Sequence, residues 1–127
     1  MNLKNLFTVH AVVALINGGG SLLIPKSFLS LYGISLADQN AVFIAQLLGA
    51  ALLTYCFVAW FARNAEDSTA RRAIVLGFFS SAMIGFIIAL TGQLSSVMNS
   101  LGWMVVGLYL VIGGAYGYFQ FIKPETA

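Results

Sequence analysis

Charged residues are scarce in this chain. Of its 127 residues, six are Lys or Arg and four are Asp or Glu, so 8% are charged, whereas an ordinary soluble domain is about 25% charged. So few charged groups cannot cover a soluble globule of this size, but a surface that faces lipid needs none. The composition therefore argues against a soluble fold. The six basic residues are scattered, so the sequence carries no nucleic-acid footprint.

Residues that carry common catalytic and metal chemistry are also few. The chain has one cysteine and one histidine, whereas divalent metal sites need several His, Cys, Asp or Glu ligands and a b-type haem normally takes two axial histidines. The lone Cys56 can form no intrachain disulfide. Ser80 and Ser81 lack the G-x-S-x-G setting of a serine hydrolase. We therefore expect no cofactor, no metal site, no catalytic residue and no enzymatic activity.

Apolar residues are abundant and fall into long runs. The chain is 60% hydrophobic, and its mean hydropathy is +0.92. About twenty helical residues, at about 1.5 Å each, cross a hydrocarbon core of about 30 Å. We predict an all-α fold, a four-transmembrane-helix bundle that forms one domain over residues 1–127 of a multi-pass protein in the lipid bilayer. The four runs have approximate bounds 5–24, 37–62, 70–93 and 101–122.

The second run has recognisable ends. Ser35, followed three residues later by Asp38, fits a helix start signal in which a side-chain oxygen caps free backbone N–H groups. Trp60 and Arg63 mark the far end, because an indole prefers the headgroup level and an arginine there stops transfer on the cytoplasmic side. Apart from Asp38 at the start of the second run, no Asp or Glu lies within any run, which disfavours a small proton-coupled exporter that depends on a membrane carboxylate.

A short segment between the first two runs has the pattern of an amphipathic helix. Pro25 suits a first helical position, apolar residues recur at helical spacing, and Gly33 can provide a left-handed stop. We predict a short amphipathic interfacial helix over residues 25–33. The functional alternative is a lid over a binding site in the bundle.

Lys and Arg counts predict the orientation. Five basic residues lie on one side of the predicted bundle and Lys26 alone lies on the other. Because cytoplasmic loops carry the excess of basic residues, we expect both termini to be cytoplasmic. The five residues are Lys4, Arg63, Arg71, Arg72 and Lys123.

Each run carries small residues that let helix backbones approach closely. In lipid, small-residue packing and interhelical hydrogen bonds replace the hydrophobic drive between helices. Gly113 and Gly117 form a GxxxG pair, which serves either packing within the bundle or dimerisation. The candidate packing residues are Gly18, Gly49, Gly77, Gly85, Gly113 and Gly117.

Polar side chains within the runs form a candidate seam through the bundle. The seam has two interpretations, interhelical hydrogen bonding or a cavity for a small amphipathic molecule. His10 is the most distinctive member, either as a proton switch or as a neutral ring bonded to Tyr116 or Thr54. The candidate seam residues are His10, Asn17, Gln46, Ser81, Tyr109 and Tyr116.

Several short motifs distributed over nearly the whole chain resemble those of a family. The chain is similar to a widespread group of small uncharacterised bacterial four-helix integral membrane proteins, a domain of unknown function. The resemblance implies a bacterial cytoplasmic membrane and transfers no catalytic residue. Members often carry an arginine where this chain has Gln46. The motifs are LYG at 31–33, AQLLGAAL at 45–52, WFAR at 60–63, ARRAI at 70–74 and MNSLGW at 98–103.

Two functional hypotheses follow. The first is a non-enzymatic protein that self-associates as a homo-oligomer or serves as an accessory subunit of a larger membrane complex, because small-residue stripes lie on four short helices with almost no soluble mass. The second is binding or transport of a small lipophilic or weakly polar molecule in the polar seam.

Overall fold

The described part of the chain contains four long helices and one short helix, joined by loops. The structure is a computed structural model that describes residues 2–123, and it contains no strand within that range. Each long helix is long and apolar enough to cross a membrane, which confirms the predicted all-α fold with four candidate spans. The elements are α1 (Leu3–Leu23), α2 (Pro25–Ser30), α3 (Gln39–Ala62), α4 (Thr69–Leu94), α5 (Gly102–Gly117) and a π-helical extension of α5 (Tyr118–Ile122).

Short polar side chains fix where the helices begin. Asn2 caps α1, and Ser68 Oγ accepts a hydrogen bond from the Arg71 N–H at the start of α4. The N-cap of α3 is Asp38 instead of the expected Ser35, and Asp38 Oδ1 accepts from the Ala41 N–H at 2.9 Å. In this position the Asp38 carboxylate both accepts the capping hydrogen bond and lies at the positive end of the helix dipole.

The segment between α1 and α3 folds back on α1. The short helix α2 begins at Pro25, and Gly33 adopts the left-handed conformation with φ of 77°. The ring of Phe28 packs on Gly20 so closely that a Cβ at Gly20 would clash with it. The absence of a side chain at Gly20 therefore lets α2 dock on α1.

The bundle consists of two closely packed helix pairs, α1 with α3 and α4 with α5. In the first pair the backbones themselves touch: a Cβ at Gly49 would lie 2.7 Å from both the Gly18 carbonyl oxygen and the Leu22 nitrogen. In the second pair, Gly85 faces the ring of Tyr109. Small residues thus set the distance within each pair, as expected in lipid.

The two pairs meet in an aromatic core near the chain termini. Tyr116 is fully buried there, with ring centroids 5.8 Å from Phe7 and 5.3 Å from Phe78. Ala59 of α3 is also fully buried in this core. Residues from all four long helices therefore pack together at this end.

The opposite end is closed by contacts between loops. The Asn99 N–H donates to the Tyr32 carbonyl at 2.8 Å, and Asn99 Nδ2 donates to the Leu31 carbonyl at 3.0 Å. The α1–α3 connection is thereby tied to the α4–α5 loop.

We expect Asn99→Ala to lower the free energy of unfolding by about 1–2 kcal/mol, because it removes the hydrogen bond to the Leu31 carbonyl between the two loops and the one that Asn99 Oδ1 accepts from the Leu101 N–H. The measurement is unfolding of the purified protein by denaturing detergent. Asn64→Ala is the matched control, since Asn64 is exposed in the loop at the other end and its truncation should be nearly neutral. Equal losses in the two variants would contradict this role of Asn99.

Candidate functional site

A cavity of about 100 Å³ lies between the two helix pairs, and all four long helices line it. Most of its wall is apolar, and Ala14 and Ala82 contribute only methyl groups from facing helices. Because the pairs are joined by the aromatic core at one end and by loops at the other, these small side chains leave space between them. The polar lining residues are His10, Asn17, Tyr55, Ser81 and Tyr109.

His10 forms the side of the cavity nearest the aromatic core. Its Nδ1 lies 2.9 Å from Tyr116 Oη, in a buried hydrogen bond that joins α1 to α5. The ring also packs edge-on against Phe78, with centroids 4.6 Å apart. Of the two partners offered by the sequence, the structure contains Tyr116; Thr54 Oγ1 instead donates to the carbonyl of Ala50.

Two other polar residues of the cavity bond to their own helices. Asn17 Nδ2 donates to the Val13 carbonyl at 2.8 Å, and Ser81 Oγ donates to the Phe78 carbonyl at 3.3 Å. The Asn17 Oδ1 atom has no protein partner among the described residues. In both bonds a side-chain hydrogen is donated to a backbone carbonyl of the same helix.

Two tyrosines complete the polar part of the wall. The ring of Tyr109 packs on Gly85, where a Cβ would clash with it. Tyr55 lies with its ring centroid 5.9 Å from that of Phe78. Neither phenol oxygen has a protein hydrogen-bond partner within residues 2–123, so both hydroxyls are free to bond with a guest.

Four of the six predicted seam residues line the cavity: His10, Asn17, Ser81 and Tyr109. Tyr116 lies behind the wall and holds His10. Gln46 does not line the cavity. Its Nε2 donates to the Leu22 carbonyl at 3.3 Å across the α1–α3 contact. Its neighbour Ala45 is buried in that helix pair.

Tyr55 is a lining residue that sequence reasoning did not include. It lies three residues after Leu52, which also lines the cavity, and four before the buried Ala59. Extending the small-residue stripe of α3 from Gly49 to Ala59 places Tyr55 beside the packed face. As the only tyrosine in the second run, it offered a signal for this position.

Five of the six candidate packing glycines make close contacts within the chain. Gly18 and Gly49 face each other, Gly85 faces Tyr109, and Gly117 faces the ring of Phe79. Gly113 lies against Ala82 and Met83. A Cβ at the sixth, Gly77, would meet nothing within 4 Å.

The cavity adjoins a larger open groove toward the loop end of α4 and α5. The groove has a volume of about 640 Å³, and Val105 and Tyr109 line both spaces. The ring of Tyr109, held against Gly85, therefore lies between them.

The cavity lacks charged lining residues, and His10 is its only lining residue of a metal-ligating type. None of its lining residues is Lys, Arg, Asp or Glu, and residues 2–123 contain no cluster of His, Cys, Asp and Glu that could hold a metal ion. Cys56 is buried in the hydrophobic core and does not line the cavity. The ion pairs lie in the loop before α4, where hydrogen bonds from Arg72 lower the pKa of Asp67. Comparison with protein-family models, curated proteins and solved structures gave no match.

Proposed function

We propose that the chain is a non-enzymatic membrane protein that binds a small, weakly polar, uncharged molecule in its cavity. The observation that carries the proposal is a space to which all four long helices contribute and whose wall includes five polar side chains. Protein interiors contain few voids larger than a water molecule. Polar groups inside membrane bundles commonly mark sites of function.

The volume of the cavity limits the size of the bound molecule. A cavity of about 150 Å³ accepts benzene, and this one has about 100 Å³. A guest of only a few non-hydrogen atoms therefore fits inside, and a longer molecule would extend past Tyr109 into the groove.

The absence of charged lining residues favours an uncharged guest. An ion entering the cavity would lose its hydration and find no counter-ion among the described lining residues, at a cost of many kcal/mol. An uncharged guest would lose less and would gain hydrogen bonds with the phenol, amide and imidazole groups.

The hydrogen bonds of the wall support binding without catalysis. Ser81 donates to its own helix and His10 bonds to Tyr116, so no serine is paired with the histidine as nucleophile and base. No carboxylate lines the space.

The association hypothesis has less support. It rested on small-residue stripes on four short helices with almost no soluble mass, and five of the six glycines concerned contact other parts of this chain. Those contacts account for the glycines without a partner subunit. The lid hypothesis for residues 25–33 likewise has less support, because Phe28 docks on Gly20 and no residue of α2 lines the cavity.

The proposed location is the bacterial cytoplasmic membrane with both termini inside. The family resemblance supports the membrane, and the distribution of basic residues supports the orientation. Lys4, Arg63 and Arg72 lie at the end of the bundle that holds the aromatic core, whereas Lys26 lies at the loop end.

We expect Ser81→Leu to abolish binding, because the larger side chain fills the cavity from its wall. A ligand that binds only the folded state stabilises it by about 2.7 kcal/mol at a hundredfold excess over Kd. The measurement is the Tm of the detergent-solubilised protein with a panel of small uncharged solutes and their charged analogues. Uncharged solutes should raise the Tm of the wild type and leave that of Ser81→Leu unchanged.

The matched control is Ser80→Leu, which makes the same chemical change at an exposed neighbouring position on α4. This variant should respond to solutes as the wild type does. If Ser81→Leu and Ser80→Leu respond equally, or if no solute raises the Tm of the wild type, the binding proposal fails.

A further inference from the structure

We infer that His10 presents a fixed Nε2–H donor to the cavity and that the ligand is an uncharged hydrogen-bond acceptor, such as a carbonyl compound. The inference rests on the proposed binding function and names the chemical class of the ligand. It follows from the positions of the hydrogen atoms in the His10–Tyr116 pair.

Tyr116 is buried between the two helix pairs. Its side chain has no exposed surface, and its only hydrogen-bond partner within the described chain is His10 Nδ1, at 2.9 Å. A phenol has one hydrogen to donate, and a buried donor without an acceptor costs about 1–3 kcal/mol. The Tyr116 hydroxyl therefore donates to His10 Nδ1.

The hydrogen bond from Tyr116 determines the tautomer of His10. A nitrogen that accepts a hydrogen bond carries no proton, so Nδ1 is the bare nitrogen of the ring. No described carboxylate contacts the imidazole to compensate a positive charge, which keeps the ring neutral in this apolar setting. The single ring proton therefore resides on Nε2.

The Nε2 atom of His10 faces the cavity. Among the buried polar side-chain atoms of residues 2–123, only Gln93 Oε1 is both sealed and unpartnered. His10 Nε2 also lacks a protein partner within that range, so it must reach accessible space. The cavity is the space that His10 lines. Packing against Phe78 and Tyr116 restricts the orientation of the ring.

The remaining polar wall can also bond to an acceptor. The hydroxyls of Tyr55 and Tyr109 have no described protein partner, and each can donate as well as accept a hydrogen bond. The His10 Nε2–H can only donate, so the guest must supply an acceptor for it. A purely donating guest would leave the Nε2–H unpaired.

The chain's single histidine makes the tautomer directly measurable. Protein labelled with ¹⁵N-histidine gives one imidazole in the NMR spectrum. We expect a proton on Nε2, none on Nδ1, and a shift of the Nε2 signal when butanone is added. A proton on Nδ1 would overturn the inference whether or not any solute binds.

The ligand class is tested with two solutes of the same shape, butanone and the alkene in which a methylene group replaces its carbonyl oxygen. His10→Asn keeps an acceptor for Tyr116 and removes the Nε2–H donor. We expect the ratio of butanone to alkene affinity to fall about fivefold in His10→Asn, because comparing ratios cancels partitioning into detergent. His10→Gln, which supplies an amide N–H nearer the Nε2 position, should restore most of the ratio.

The outcomes separate the two proposals. An unchanged ratio in His10→Asn, with both solutes bound, overturns the donor assignment and leaves binding intact. If neither solute perturbs any residue of the cavity wall, the binding function fails, and the proposed ligand class fails with it.

Discussion

Replacing Gly49 with alanine should separate α1 from α3 and lower the free energy of unfolding by about 1–3 kcal/mol. The new methyl group would lie 2.7 Å from the Gly18 carbonyl oxygen and the Leu22 nitrogen. Both are backbone atoms of a helix, so they cannot rotate away as the end of a side chain can. The helices must move apart, and contacts along the α1–α3 interface weaken. Unfolding by denaturing detergent measures the loss.

Gly77→Ala is the matched control for this prediction. Gly77 is also a glycine inside a long helix, but a Cβ there meets nothing within 4 Å. Alanine has the higher helix propensity, by about 1 kcal/mol in soluble helices, so this variant should be neutral or slightly stabilised. Equal destabilisation by the two substitutions would show that close backbone approach at Gly49 does not hold the pair together.

Truncating Tyr116 to alanine should have the largest effect, a loss of about 3–5 kcal/mol in the free energy of unfolding. Its ring is fully buried against Phe7 and Phe78 at the point where the helix pairs meet. The substitution removes those contacts and leaves His10 Nδ1 without its donor. Thermal or detergent unfolding of the purified protein measures the effect.

Two further tyrosine variants separate packing from hydrogen bonding. Tyr116→Phe keeps the ring and loses only the hydroxyl, so we expect a smaller loss of about 1–3 kcal/mol. Tyr118→Ala makes the same truncation at a tyrosine with 42% of its surface exposed, and it should cost much less than Tyr116→Ala. If Tyr118→Ala were as destabilising as Tyr116→Ala, the aromatic core would not be the junction of the pairs.

The length and position of the spans could be predicted from the sequence because both are local properties. An apolar run of about twenty residues has few alternatives to a membrane helix. With the π-helical extension counted as part of α5, the observed helix bounds lie within two residues of the predicted runs. The order of the residues along the spans allowed two hydrogen-bond partners for His10, Tyr116 and Thr54, and Tyr116 is the one that the structure contains.

The rotation of each helix about its axis could not be predicted in the same way. In a soluble helix the polar face indicates the outside, but here the outward-facing and core-facing sides are both apolar, as the exposed Phe61 and the buried Phe78 illustrate. The placement of Gln46 against the Leu22 carbonyl and of Tyr55 in the cavity depends on the close approach of Gly18 and Gly49. That contact joins residues of different helices, so the sequence of either run alone does not predict it.

Native mass spectrometry of the protein, extracted from its own membranes into a lipid disc, tests the central claim most directly. It reads the subunit number and any retained molecule in one spectrum. The account predicts a discrete additional mass on the wild type and on Ser80→Leu, and its loss from Ser81→Leu. A wild-type spectrum without added mass, showing only a homo-oligomer or a co-extracted subunit, would contradict the binding role and favour association instead.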